Sequence, residues 1–462
     1  MISPLDSVLL GGLFRGSEEI AAEFSDSRRV TDLLDVEVAL ARAEATTGVI
    51  PRWAAEQIEA AATTMTVDYR SLGHATEASI VPTIALVKQL RSAVGPKAAP
   101  FVHRGATSQD IIDTATVLAL RRATYRLAGQ LKSVIATLAG LADEHRHTVM
   151  AGRTHGQHAV PITFGLKVTR WIVPLIRHLT RLRELTPRVF VVQFGGAAGT
   201  LSALGDRGSD VAEALSSELA LGYTPPWHTE RDAMIEYGSW LSLVTGSLAK
   251  MAQDVVLLAQ TEIREVTESE DPSHGGSSTM PHKSNPVRSE MILVAARVNA
   301  ALLSALHAAA VQEHERATHG WQVEWFVLPQ MVALTHGALH HAAALSRALR
   351  INPDRMAHNI HAGGDMVLAE ALSLEFARFI PVEDAQALVR EAADNAAREH
   401  ESLPSTARRL AAARRELDDL DWSRLGDASH HLGMSSRIVD AVLKDARKEL
   451  SRSDFSKVPV DI

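Results

Sequence analysis

The sequence predicts an all-α protein built around a long helical bundle, and three observations carry that expectation. Aromatic residues make up only 5% of the chain while Ala and Leu abound, a bias that suits closely packed helices and disfavours sheet. Three stretches, 113–144, 232–268 and 287–328, run without a proline. Helices of roughly 30–40 residues would span about 45–60 Å, longer than the globular norm. Between them, Pro- and Gly-rich punctuation falls at 95–107, 151–165, 195–208, 222–227 and 271–286.

Taken in order, residues 30–48 place Leu33, Leu34, Val36, Leu40 and Ala43 near a helical repeat, which Gly48 and Pro51 stop. The first long helix follows from Asp113, interrupted only by Gly129 and Gly140. The second starts at Asp232, and the third lies between Pro286 and Pro329, which are expected to bound it. Turn signals near 110 and 355 divide the chain into an N-terminal helical domain (1–110), a central bundle (111–355) and a C-terminal helical domain (356–462). The acidic run Glu268, Glu270 and Asp271 reads as a solvated helix end leading into the loop 271–286. His340, His341, His430 and His431 read as surface or packing residues.

Bulk properties exclude several classes of function. The 462 residues are 46% hydrophobic and 22% charged, with a formal net charge of −8, so no basic footprint for nucleic acid or an anionic membrane is present. Cysteine is absent, which removes disulfides, thiolate metal sites and cysteine nucleophiles. The first 24 residues lack a signal pattern, and no uninterrupted apolar run approaches the ~18–20 residues that cross a bilayer. A cytoplasmic protein is expected.

The sharpest local signal is Gly275-Gly276-Ser277-Ser278-Thr279-Met280-Pro281-His282-Lys283-Ser284-Asn285-Pro286. Taken alone it is either a polar interhelical connection or a catalytic lid, whose glycines permit closure and whose polar groups meet substrate when closed. Two further segments carry chemistry-bearing residues: Gly105-Ala106-Thr107-Ser108-Gln109-Asp110 and Gly152-Arg153-Thr154-His155-Gly156-Gln157. Thr107, Ser108 and Gln109 precede a helix start, where hydroxyls and free N–H groups form either an anion seat or a plain N-cap. Gly195-Gly196-Ala197-Ala198-Gly199-Thr200 lacks the βαβ context of a dinucleotide fingerprint.

These three segments, in this order, resemble the fumarase/aspartase superfamily, and the resemblance extends from Phe24-Ser25-Asp26 to His431-Leu432-Gly433. It implies a three-domain, all-α fold and a homotetramer that pools its central helices, with each active site shared among three subunits. By resemblance Ser277 is the catalytic base, with Ser278 as the alternative. A serine alkoxide requires a dry site with N–H donors and cations around it. Lys283 and Asn285 resemble the carboxylate-binding pair. His155 matches the acid–base histidine, which would otherwise be read as a packed or capping residue. Glu290 stands at the position of its glutamate partner. Thr107, Ser108, Gln109, Thr154 and Arg316 match substrate-binding positions, and the 195–200 segment matches one lining the site. His158 has poor spacing for a zinc pair with His155. The expectation is cofactor-free, metal-free catalysis on a small di- or tricarboxylate, with neither nucleic acid nor membrane as a partner.

Departures within the superfamily narrow the substrate. Nucleotide-binding members place a serine five residues and an arginine nine residues after the position of Arg316, to hold a phosphate. Here Trp321 and Trp325 stand there, and an indole cannot replace a guanidinium. The segments 13–51 and 103–115 instead resemble the cycloisomerases that lactonise 3-carboxy-cis,cis-muconate in aromatic-acid breakdown. One feature departs from that branch: Ser284 follows Lys283 where arginine is expected, with Arg104 and Arg288 as possible compensating cations. The alternatives are a carbon–nitrogen lyase releasing fumarate from an amino-, N-substituted or nitrosuccinate, and a non-catalytic structural homologue.

Overall fold

The computed structural model describes residues 3–268, 275–276, 279–280 and 283–453. It is all-α: among the described residues strand is confined to one antiparallel hairpin and one two-residue ladder. The helices that position the site are α1 (Asp26–Thr46), α2 (Ser108–Glu144), α3 (Phe164–Val189), α4 (Asp232–Leu258), α5 (Val287–Ala309), α6 (Gly320–Ala348) and α7 (Ser435–Leu450). Helices α2 to α6 share one large core of fully buried Leu, Val, Ile and aromatic residues, among them Trp171, Tyr237 and Trp240. The last helix, α7, returns to that core through Val439, Val442 and Leu443.

Two further cores flank the first. One gathers α1 and the short helices after it around the beginning of α2, and includes Val192, Phe194, Trp321 and the helix Gly208–Glu218. The other is built from residues 360–425 and closes on Ala151.

Two of the long segments end differently from the sequence expectation. The stretch 287–328 is two helices: α5 stops at Ala309 and α6 begins at Gly320. Between them His314 adopts a left-handed conformation (φ 50°), and the Glu313 carboxylate accepts from the Thr318 amide at 2.9 Å. Pro329 does not bound the helix but lies inside α6; the fold absorbs the lost backbone bond because Val327, Leu328, Met331 and Val332 around it are buried in the main core. Helix α4 likewise ends at Leu258 rather than near 268. Arg264 turns left-handed (φ 51°), and Val266–Thr267 (β3) then pairs antiparallel with Arg350–Ile351 (β4).

By length and composition α4 and α5 are apolar enough to cross a bilayer, although charged residues interrupt each apolar run. In α5 only 22% of the apolar window is buried within one chain.

Candidate active site

The start of α2 forms the best-defined part of the site. Thr107 is the N-cap, in extended conformation, and makes a capping box with Asp110. Arg316 Nη1 donates to Thr107 Oγ1 at 2.7 Å, so a guanidinium stands at the helix N-terminus, where the helix dipole already favours an anion. Ser108, the first residue of the helix, is half-buried beside it. Gln109 turns inward: it is buried, and Nε2 donates to the His228 carbonyl at 2.9 Å and to Asp113 at 3.2 Å.

Beneath this seat lies a buried polar network. Asp110 is fully buried and accepts from Thr107 N, Gln193 Nε2, Gly195 N, Gly196 N and His228 Nε2, all within 2.9–3.0 Å. One carboxylate thus holds the Gly195-Gly196 segment against the start of α2. Gly196 takes φ 69°, and a Cβ there would come within 3.0 Å of the Gly105 carbonyl. One turn further, Asp113 accepts from Arg231 (2.8 Å) and from the Trp321 indole (2.8 Å). Arg231 also pairs with Glu324 through Nε at 2.8 Å. Burial works against the Arg231 charge, but Asp113 and Glu324 outweigh it and raise its pKa, so the guanidinium is locked in its charged form. Such a network holds its members in one geometry, since removing one partner strands a buried charge.

His155 lies elsewhere. Strands β1 (Val149–Thr154) and β2 (Gln157–Thr163) pair antiparallel and end on the Thr154–Gln157 pair. The two-residue turn between them, His155-Gly156, has φ 50° and 79°, both positive as a type I′ turn demands. Thr154 and His155 are therefore exposed at a hairpin tip. The tip is anchored by Arg153, whose guanidinium holds buried Glu265 with both ends, at 2.8 and 2.6 Å.

The third segment is the 271–286 loop. Ser277 and Ser278 lie outside the described residues, as do 269–274 and 281–282. The base of the loop is defined: Asn285 N donates to the Gly275 carbonyl at 2.8 Å, and Gly276 and Ser284 form an antiparallel bridge. Lys283 is exposed, its amide donating to the Met280 carbonyl at 3.0 Å, and Asn285 is half-buried. Glu268 is not a solvated helix end. It is buried and caps α5, accepting from Ser289 N (2.8 Å), Ser289 Oγ (3.0 Å) and Arg288 N (3.1 Å), because the chain turns back after α4 instead of continuing it. Glu290 is exposed in the first turn of α5.

Within one chain, then, Thr107 and Arg316 are joined directly, and Ser108 lies next to Thr107. No ion pair joins His155 to Glu290 among the described residues, and both are exposed. Asp113, Gln193, His228, Arg231, Glu324 and Glu265 escaped the sequence reading as site residues, and Asp110 and Glu268 were read without the roles they take here. The one available signal was charge density in His228-Thr229-Glu230-Arg231-Asp232 ahead of a long apolar helix.

Comparison with known proteins follows the same lines. A family profile described as lyase matches residues 15–299. The 3-carboxy-cis,cis-muconate cycloisomerase of Pseudomonas aeruginosa is 44% identical over 428 residues, covering 92% of this chain and 93% of that protein. The nitrosuccinate lyase of Streptomyces davaonensis is 36% identical over 448 residues and 94% of each chain. Among solved structures, the 3-carboxy-cis,cis-muconate lactonizing enzyme from Pseudomonas putida matches with a TM-score of 0.89 at 38% identity, over 96% of this chain and 100% of that one. The chain belongs to the lyase family of the fumarase/aspartase superfamily and is an enzyme of that group.

Proposed function

We propose that the chain is a 3-carboxy-cis,cis-muconate cycloisomerase. The observation that carries the reading is Arg316 donating to Thr107 at the open N-terminus of α2, a seat suited to a carboxylate. Trp321 supports it from the other side. It is buried with its indole bound to Asp113, which leaves no phosphate cradle where nucleotide-binding members have one.

In the proposed reaction one substrate carboxylate oxygen adds to the adjacent double bond, forming the lactone C–O bond. The π pair of the double bond moves to the neighbouring carbon and into its carboxylate, the carbon takes a proton from the Ser277 hydroxyl, and solvent returns a proton to the serine. Lys283, Asn285 and the Thr107–Arg316 seat bind substrate carboxylates, with Ser108 and Thr154 completing the pocket and Gln109, buried beneath the seat, bracing the start of α2. Donors fixed where the second negative charge develops lower the barrier. His155, held by Glu290, is less essential here than in a lyase that must protonate an amine or hydroxide, because a carboxylate nucleophile needs no proton removed.

We further infer a cytoplasmic homotetramer with sites shared among three subunits. What supports it is the little-buried apolar helix α5, together with exposed Leu243, Leu257, Val298, Val311 and Phe326 on α4, α5, α6 and the α5–α6 connection. Such faces fit partner helices. A carbon–nitrogen lyase remains the second reading, favoured by Ser284 in place of an arginine and by the similarity to nitrosuccinate lyase.

The test is an ultraviolet assay of 3-carboxy-cis,cis-muconate beside fumarate release from amino- and nitrosuccinates. Rapid loss of diene absorbance, abolished by Ser277→Ala, is expected. Fumarate release without diene loss would move the protein to the lyases.

A further inference from the structure

The proposed substrate carries three carboxylates, and the Thr107–Arg316 seat and the Lys283–Asn285 pair account for two. Ser284 stands where a further cation is expected. Beside the seat, Arg104 is exposed and acts electrostatically on Glu44. The residue before it, His103, has the geometry of a held ligand.

His103 lies four residues ahead of the N-cap Thr107 and takes a left-handed backbone (φ 60°), which a residue with a Cβ adopts at a cost. Its Nδ1 bonds Glu37 Oε1 on α1 at 2.6 Å. The Glu37 side chain is only 2% exposed, whereas that of His103 keeps 16%. A buried carboxylate on one ring nitrogen fixes the orientation of the ring and leaves the other nitrogen to act. Among the described residues, Nε2 of His103 makes no hydrogen bond, and it is absent from the buried polar atoms that lack a partner.

The charges around the ring favour an anion there. Burial works against the imidazolium, but Glu37 and Asp110 outweigh burial and Arg91, and the pKa of His103 is raised. Glu37 is matched by the imidazolium itself. Asp110 is already covered by five donors. Arg91, from the helix Thr83–Val94, donates to the Val102 carbonyl at 3.0 Å and brings a further positive charge. Glu44, one α1 position from Glu37 at two helical turns' spacing, is pushed up to about 8 and keeps its proton at neutral pH.

We propose that His103 binds the third substrate carboxylate: Glu37 holds the ring by Nδ1, and the opposite Nε2–H donates to the carboxylate that neither the Thr107–Arg316 seat nor the Lys283–Asn285 pair takes. Glu37 is then a positioning residue, and the two together select a tricarboxylate over a dicarboxylate. The inference rests on the cycloisomerase reading of the substrate.

The test is calorimetric titration of the full-length protein with tricarballylate and with glutarate, which is the same carbon chain without the central carboxylate. The wild type should bind tricarballylate at least tenfold more tightly. His103→Gln should weaken tricarballylate tenfold or more and leave glutarate within twofold. Between about pH 7 and 9 the wild-type preference should fall as the imidazolium loses its proton, and Glu37→Gln should move that fall to lower pH. Glu44 titrates in the same range, but its effect is common to the wild type and His103→Gln and cancels between them. Should His103→Gln fail to fold, the neutral pair Glu37→Gln/His103→Gln takes its place. A wild type that binds both ligands equally or neither, an unchanged tricarballylate affinity in His103→Gln, or an equal loss for both ligands would each overturn the proposal. The titration needs no turnover, so a failed diene assay would count against the cycloisomerase reading and a failed titration against the role of His103.

Discussion

Arg153 holds Glu265 with both ends of its guanidinium, Nη1 to Oε2 at 2.8 Å and Nη2 to Oε1 at 2.6 Å, and Asn359 adds a third donor to Oε1 at 2.9 Å. Two residues beyond the His155 hairpin's anchor, the tip is free; three residues beyond Glu265, Glu268 caps α5 below the 271–286 loop. One ion pair thereby ties together the two segments that carry His155 and Ser277.

Disrupting that pair should separate positioning from charge. Arg153→Lys keeps the cation but loses the two-pronged fit, so the hairpin tip loses its orientation. The expected result is a kcat at least tenfold lower with an unchanged far-ultraviolet circular dichroism spectrum. Glu265→Ala leaves the half-buried guanidinium unpaired and should cost about 3–5 kcal/mol of stability, read by denaturant titration. Wild-type kcat in Arg153→Lys would refute the positioning role.

The base of the loop offers a sharper test. Gly275 takes φ 74°, and a Cβ there would lie 2.2 Å from the Asn285 carbonyl oxygen. Gly275→Ala must therefore break the Asn285–Gly275 hydrogen bond and shift Lys283 and Asn285. Activity should fall at least tenfold while the melting temperature stays near the wild-type value, because none of the segment's described residues belongs to the main core. Glu268→Ala should lower both, removing a cap worth about 1–2 kcal/mol. Full activity in Gly275→Ala would show that the base of the loop does not position the carboxylate-binding pair.

Much of this was legible in the sequence. Long proline-free runs gave α4 its start and most of α2, although α2 begins at Ser108 rather than Asp113, and the Thr107 segment reads as a helix N-terminus because capping is local chemistry: Thr107 and Asp110 are three residues apart. What escaped is non-local. Asp110 meets Gln193 and His228 across 83 and 118 residues, and no local pattern encodes that meeting. Pro329 was misread for the opposite reason. Its local rule is sound for an isolated helix, but packing on α6 outweighs one missing backbone bond. Glu268 was misread because its neighbours in sequence are acidic, whereas its neighbours in space are the amides of Arg288 and Ser289.

Glu44 predicts an unusual pH dependence of stability. It is fully buried on α1 with no partner for either carboxylate oxygen. Burial pushes its pKa up to about 8, with Glu37 adding to the shift and Arg104 opposing it. The folded state therefore retains a proton that the unfolded chain releases near 4.5. Between those values the native state binds more protons, so this group's contribution to stability declines as pH rises. Glu44→Met, similar in length but uncharged, removes that decline. Its melting temperature should match the wild type near pH 5 and exceed it by a margin that grows up to pH 9. A margin that is constant or shrinks over this range would show that Glu44 titrates normally.

Subunit mixing tests the proposed assembly. In one chain the described site residues form an incomplete set: Thr107 and Arg316 are joined, whereas His155 and Glu290 are exposed without contact. A histidine on an exposed hairpin tip has no tautomer-fixing partner of its own, so a neighbouring chain must supply one if the residue acts as resemblance implies. If Ser277 and His155 of one site come from different subunits, a Ser277→Ala chain is inactive and a His155→Ala chain impaired, and the two complement each other. Random mixing in a symmetric tetramer should give about a quarter of sites with both residues intact. Recovery should approach that fraction after co-refolding and stay absent when the two tetramers are mixed without dissociation. Mixed tetramers confirmed by native mass spectrometry, yet with no recovered activity, would place Ser277 and His155 in the same subunit's site. Wild-type kcat in His155→Ala alone would instead make the histidine dispensable.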